Sequence, residues 1–288
     1  MSTTHRAAAF LDKGGTGKTT TIAHLAVALD QLGYTVLGID LAGKQGDLTK
    51  HFGAWSDYRE RVDNDEAWPN ISTVFDESWG TIATKLGDDA VDDLVIETDE
   101  GPSLIPAHPG LDTLDSDLGN IDDARERYTR LEQFLDEYVD PLEYDIVLID
   151  LPGMTNNVTY NGLWATRHAI MPVEMGPFEA EQADALRRDL EKIAANFTVE
   201  INLSLVLPNK VDTRTNLADE YLDSFAAEYS ESIAPEFVPY SQDIRNATQR
   251  GMTAFALDNP SATAQAACEA YLAAAEALLT RLEGATDD

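Results

Sequence analysis

Eight consecutive residues, Lys13-Gly14-Gly15-Thr16-Gly17-Lys18-Thr19-Thr20, carry the strongest chemical signal in the chain. Its glycines let the backbone curl until its N–H groups converge on an anion. Lys18 supplies a point charge to the outer phosphates of a nucleotide, and the Thr19 hydroxyl is placed to ligate Mg²⁺. The run follows an apolar strand, Ala7–Leu11, and opens a helical pattern through His24, Leu25 and Ala28. That helix points the positive end of its dipole at the same anion. A phosphate-binding loop requires this strand–loop–helix context.

Such a loop needs a rigid frame. Buried-strand patterns occur at Ala7–Leu11, Thr35–Ile39, Ser103–Pro106, Asp145–Ile149, His168–Val173, Ile201–Leu207 and Glu236–Pro239. Helical patterns fall between them at about 19–32, 122–138, 178–197, 215–229, 243–250 and 262–282. Continuous apolar runs such as Ile146-Val147-Leu148-Ile149 suit a parallel sheet covered on both faces. The alternation predicts a doubly wound α/β domain, mostly parallel, with helices on both sides. In the last helix Ala267, Tyr271, Leu278 and Leu282 form one stripe, the spacing of a packed surface helix. Cys268 reads as a small packed hydrophobe in the same helix.

The 288 residues include 20 Lys plus Arg against 52 Asp plus Glu, a formal net charge of −32. Hydrophobic residues make up 43% of the chain, enough for a substantial core and too many for a disordered polyanion. One cysteine excludes a disulfide framework, a Cys-ligated iron–sulfur cluster and a multi-Cys zinc site within one chain. No secretory pattern opens the sequence and no apolar run is long enough to span a bilayer, so a cytoplasmic protein is expected. The acids are spread along the whole chain, densest between Gly87 and Asp123, where no Lys or Arg occurs. Two readings fit: a solvated surface adapted to very high salt, as in a halophile, or a face for a basic partner. Either way a bare polyanion is repelled at ordinary ionic strength.

The loop departs from the standard Gly-x-x-x-x-Gly-Lys-Thr pattern, with Asp12 where the first glycine would stand. Lys-Gly-Gly-x-Gly-Lys-Thr resembles the deviant Walker A of the ParA/MinD family of dimerising ATPases. Val36-Leu37-Gly38-Ile39-Asp40-Leu41 resembles that family's second strand and the first Asp of its Asp-x-Asp-Pro-Gln-Gly motif. Gln45-Gly46-Asp47-Leu48-Thr49 resembles the remainder, with one extra residue, and Tyr144 through Gly153 its Walker B strand. The resemblance implies a single P-loop ATPase domain over 1–288, with a variable acidic insertion at about 52–100. Lys13 would act in trans across a homodimer with ATP sandwiched between protomers, and Lys18 in cis. Gly14, Gly15, Thr16, Gly17, Thr19 and Thr20 would cradle the phosphates, Thr19 and Asp150 would hold Mg²⁺, and Asp40 would support the water side. The family's second Asp is replaced by Ala42, which predicts slow hydrolysis or a nucleotide-gated dimerisation switch without hydrolysis; Asp40 or Asp47 is placed to substitute.

By the same resemblance Asn209 contacts adenine, yet Asn209-Lys210-Val211-Asp212 also matches the guanine-reading motif of GTPases, so a GTP-using relative stays open. The C-terminal third, from Val238-Pro239-Tyr240-Ser241-Gln242-Asp243 onward, resembles partition ATPases. The ending Leu282-Glu283-Gly284-Ala285-Thr286-Asp287-Asp288 is not a basic amphipathic helix, which argues against membrane recruitment. The implied role is plasmid or chromosome partition or cargo positioning, with a ParB-like or other adaptor. Arg187, Arg188 and Arg214 are the candidates for contact with nucleoid DNA. Trp55, Trp68 and Trp79 are expected to pack an inserted subdomain or to form a partner-binding or nucleotide-responsive surface.

Overall fold

Strands form around runs of Ala, Val, Ile and Leu: β1 (His5–Ala9), β2 (Val36–Asp40), β3 (Ile96–Glu97), β4 (Ser103–Ile105), β5 (Ile146–Asp150), β6 (His168–Glu174) and β7 (Asn202–Asn209). They make one sheet in the order β3-β4-β2-β5-β1-β6-β7, parallel throughout except for the β3–β4 edge pair. The computed structural model describes residues 4–12, 14–43, 46–175, 185–188, 190–191, 199–212 and 216–285.

Alternate strand residues feed two different cores, which is why the apolar runs are continuous. Ala8, Leu37, Ile39, Val147 and Ile149 join one cluster with Leu131, Phe134, Leu163 and Trp164. Ala7, Ala9, Val36, Ile146 and Leu148 join the other, packed under α1 (Lys18–Gln31) and the long helix Ala262–Gly284. The expected stripe of that helix is buried: Ala267, Tyr271, Leu278 and Leu282 are all within the second core. The doubly wound α/β fold is therefore present, with the sheet covered on both sides.

Two expected elements differ. Glu236–Pro239 is no strand; it meets β7's end through an isolated parallel bridge between Val211 and Pro239. The helix expected at 122–138 is divided into Ala124–Tyr128, Arg130–Phe134 and a π-helical turn, Leu135–Val139. Buried Asn161 causes the first break. Its Nδ2 donates to the Arg127 carbonyl at 2.9 Å and its Oδ1 accepts from Leu131 N at 3.4 Å, replacing the i→i+4 bond those two groups would share. The Trp residues separate: Trp79 packs in the core against Phe134 and Tyr138, Trp55 lies against Gly46, and Trp68 is exposed. The helix expected at 178–197 falls mostly outside the described residues, with 185–188 and 190–191 helical.

Candidate functional site

The carboxyl ends of β1, β2, β5 and β7 converge on one cleft of about 900 Å³. Ligands of open α/β sheets bind at this edge, where strand order reverses. Gly15 and Gly17 take left-handed conformations, φ 83° and 97°, and Gly17 hands the chain into α1. A Cβ on Gly17 would lie 2.3 Å from Asn209 Nδ2, so both φ and space demand glycine there. Gly14, Gly15, Gly17, Lys18, Thr19 and Thr20 line the cleft. Thr16 turns inward, 1% exposed. Lys13 lies outside the described residues, as do Lys44, Gln45 and Arg214.

Lys18 donates from Nζ to the Leu11 carbonyl at 3.0 Å. Burial lowers its ammonium from the ordinary value, opposed by the charges of Asp150 and Asp12. The Thr19 hydroxyl donates to Asp150 Oδ2 at 2.7 Å. Asp150 Oδ1 is buried without a hydrogen-bond partner among the described residues. Burial and then the neighbouring Asp40 raise this carboxyl well above the usual range. A hydroxyl and an under-coordinated carboxylate oxygen are hard ligands suited to Mg²⁺, which takes one or two such groups and completes its shell with water and phosphate. No group of three His, Cys, Asp or Glu able to hold a metal by themselves occurs among the described residues. The residues present thus fit Mg²⁺ held together with a nucleotide.

Asp40 is held differently from Asp150. It is fully buried and its two oxygens accept from Ala42 N (3.0 Å), Thr49 N (2.9 Å) and the Thr49 hydroxyl (2.8 Å). It fastens the turn after β2 to the short helix α2 (Asp47–His51); among the described residues Ala42 of the turn and Asp47, Lys50 and His51 of the helix line the cleft.

The end of β7 grips the phosphate loop from the other side. Asn209 is 3% exposed and donates from Nδ2 to the Thr16 carbonyl at 3.0 Å. Lys210, in a left-handed conformation with φ 53°, reaches the Gly15 carbonyl and pairs with Glu174 at 2.8 Å. The far wall comes from Val238 through Ser241 and from Ile244, Arg245, Thr248 and Gln249. The resemblance covers the start of this segment but not its role as cleft wall; the signal available in the sequence is the i, i+3, i+4 spacing of Ile244, Ala247 and Thr248 on one helix face. Arg187 and Arg188 are exposed, with Arg187 3.6 Å from Glu228.

A protein family described as AAA domain matches residues 6–205, which include the phosphate loop, Asp40 and Asp150. The chain belongs to this AAA-domain family. It is also similar to the chromosome partitioning protein ParA of Caulobacter vibrioides, 27% identical over 270 residues that cover 93% of this chain and 91% of that protein. Among solved structures, an McdA–ATP complex from Cyanothece aligns with a TM-score of 0.75 and 18% identity, covering 96% of this chain and 97% of the other. Cobyrinic acid a,c-diamide synthase from Mycobacterium smegmatis, bound to an ATP analogue and magnesium, aligns with a TM-score of 0.71 and 24% identity, covering 98% and 97%. These two share the fold of this AAA domain. No helix among its described residues is long and apolar enough to cross a membrane.

Proposed function

We propose that the chain is a Mg·ATP-dependent dimerising ATPase of the ParA type, acting in partition or in positioning a cargo in the cytoplasm. The observation that carries this reading is the Thr19–Asp150 pair beside Lys18 in a glycine-lined cleft, with Asp150 Oδ1 left for a cation. Similarity to a partition ATPase over nearly the whole chain supports it. Mg²⁺ bound there would neutralise charge on the β- and γ-phosphate oxygens. Lys18 holds the outer phosphates, the loop N–H groups orient them, and Asn209 faces the base, with ATP preferred to GTP. Lys13 reaches the partner protomer's phosphates, and the dimer engages a ParB-like or other adaptor. Arg187, Arg188 and Arg214 are the candidate contacts for non-specific DNA.

Hydrolysis is slow, because the cleft wall carries the Ala42 methyl and the Asp40 carboxylate is occupied elsewhere. Lys18→Ala is expected to abolish ATP binding measured by calorimetry. Lys13→Ala is expected to keep binding and lose the ATP-dependent dimer in size exclusion; a dimer that persists removes the trans role. Equal affinity for GTP would remove the adenine assignment. Ala42→Asp is expected to raise the hydrolysis rate.

A further inference from the structure

We propose that Asp47 is the carboxylate that orients the attacking water in this cleft, in place of the acid absent at position 42. The inference rests on the ATPase reading above. Phosphoryl transfer depends on positioning, so a chain that hydrolyses ATP needs some polar group facing the nucleophile. Asp40 is fully buried behind the cleft wall, and Ala42 and Thr49 hold both of its oxygens to the frame. Ala42 lines the cleft but offers only a methyl group.

Among the described residues that line the cleft, Asp47 is the one acid. It is half-buried, opens α2 and lines the same cleft as Lys18 and Thr19. It shares that cleft with Thr19, whose hydroxyl donates to Asp150 Oδ2 at 2.7 Å. The described residues on either side of Lys44 and Gln45 are held at several points. Gly43 and Gly46 both take positive φ, 67° and 52°, and Gly46 N donates to the Gly43 carbonyl at 3.2 Å. The Trp55 ring occupies the space beside Gly46, where a Cβ would come within 2.1 Å of it. Two residues after Asp47, Thr49 is held to Asp40 by its N–H and its hydroxyl. Asp47 is thereby presented from a braced helix start, with Lys50 Nζ 3.4 Å from its Oδ1. The extra residue in this turn, relative to the Asp-x-Asp-Pro-Gln-Gly pattern, displaces the working acid from the strand end to the helix.

In the step assigned to it, Asp47 accepts a hydrogen bond from the water. The water oxygen bonds to the γ-phosphorus as the bond to the β-phosphate oxygen breaks, and ADP leaves with that electron pair. One water proton stays on the released phosphate, the other passes to solvent, and Asp47 ends ionised as it began.

The test compares the full chain with Asp47→Asn and Asp47→Glu. Single-turnover hydrolysis, affinity for a non-hydrolysable ATP analogue and persistence of the ATP-dependent dimer are measured for each. Asp47→Asn is expected to slow the chemical step about 10²-fold with analogue affinity within about twofold, and to prolong the dimer. Asp47→Glu is expected to keep part of the rate, and adding Ala42→Asp to Asp47→Asn to restore it. Hydrolysis in Asp47→Asn within about threefold of the unaltered chain would overturn the assignment, as would loss of analogue binding. An unaltered chain that binds ATP without turning it over would remove the ATPase reading, and the proposal with it.

Discussion

Asp40 and Asp150 are register partners on adjacent parallel strands, β2 and β5, and both are fully buried. Burial raises both carboxyls, and the charge of Asp40 adds to the rise of Asp150. Asp40 is compensated by Thr49 and Ala42; Asp150 has one oxygen without a partner among the described residues. The pair holds negative potential ready for a cation at some expense to the fold.

Asp150→Asn is therefore expected to stabilise the nucleotide-free chain while removing Mg²⁺-dependent ATP binding. A raised folded-state carboxyl costs stability at neutral pH, and the cost is relieved as pH falls through the raised value. Relief of about 1 kcal/mol corresponds to a Tm rise of roughly 2–4 °C in a chain of this size. Thermal melts at pH 7 without Mg²⁺ check it, and a lower Tm in the variant would show that Asp150 is not a strained group.

Gly17→Ala tests the fit between the loop and β7. The substitution forces a Cβ to within 2.3 Å of Asn209 Nδ2 at a φ of 97°. Either Asn209 leaves the Thr16 carbonyl or the loop changes shape. Loss of ATP affinity of at least tenfold is expected, with the circular dichroism of the folded chain retained. Affinity within twofold of the unaltered chain would mean that the loop adapts.

Two buried histidines set an acid limit. His24 accepts Ala254 N at 3.0 Å and contacts the Thr20 carbonyl through Nδ1, while its ring stacks on Tyr271. Burial lowers it to about 3, and lowers cleft-lining His51 to about 4. A depressed histidine contributes stability that is complete above its unfolded value near 6.5 and lost as pH falls toward the folded value. The expected loss between pH 6.5 and 5 is on the order of 1–2 kcal/mol for each. His51→Gln should flatten the fall in Tm over that interval, and an unchanged slope would free His51 of this role.

The phosphate loop, the strands at its sides and Asp150 were legible because each is a local pattern: glycines before a helix, or an apolar run ending in an acid. The helix Asn157–Thr166 was not, since it is buried on nearly all sides, with Thr159, Asn161 and Thr166 inside, and shows no amphipathic period. Asn161 also divides the expected 122–138 helix, a long-range effect no window of sequence contains. Asp40 illustrates the same limit in the site. Its type and position suggested a group facing the reaction, whereas its partners across the turn bind it to the frame.

Salt dependence follows from the charge count. Only 20 Lys and Arg oppose 52 acids, and among the described residues Arg6 and Arg130 each serve two carboxylates. Arg6 meets Asp136 at 2.8 Å and Asp140 at 2.7 Å; Arg130 meets Glu126 at 2.8 Å and Glu77 at 3.7 Å. The acids far outnumber the cations, and their mutual repulsion opposes the compact state. Screening shortens from about 10 Å at 0.1 M salt to about 3 Å at 1 M. Tm is expected to rise steadily as KCl goes from about 0.1 to 1 M, the opposite of a fold held by surface ion pairs. Choline chloride, which screens without a small cation to seat between carboxylates, should give most of the same rise. A flat or falling Tm in both salts would show that the acids are balanced locally and that the net charge places no load on the fold.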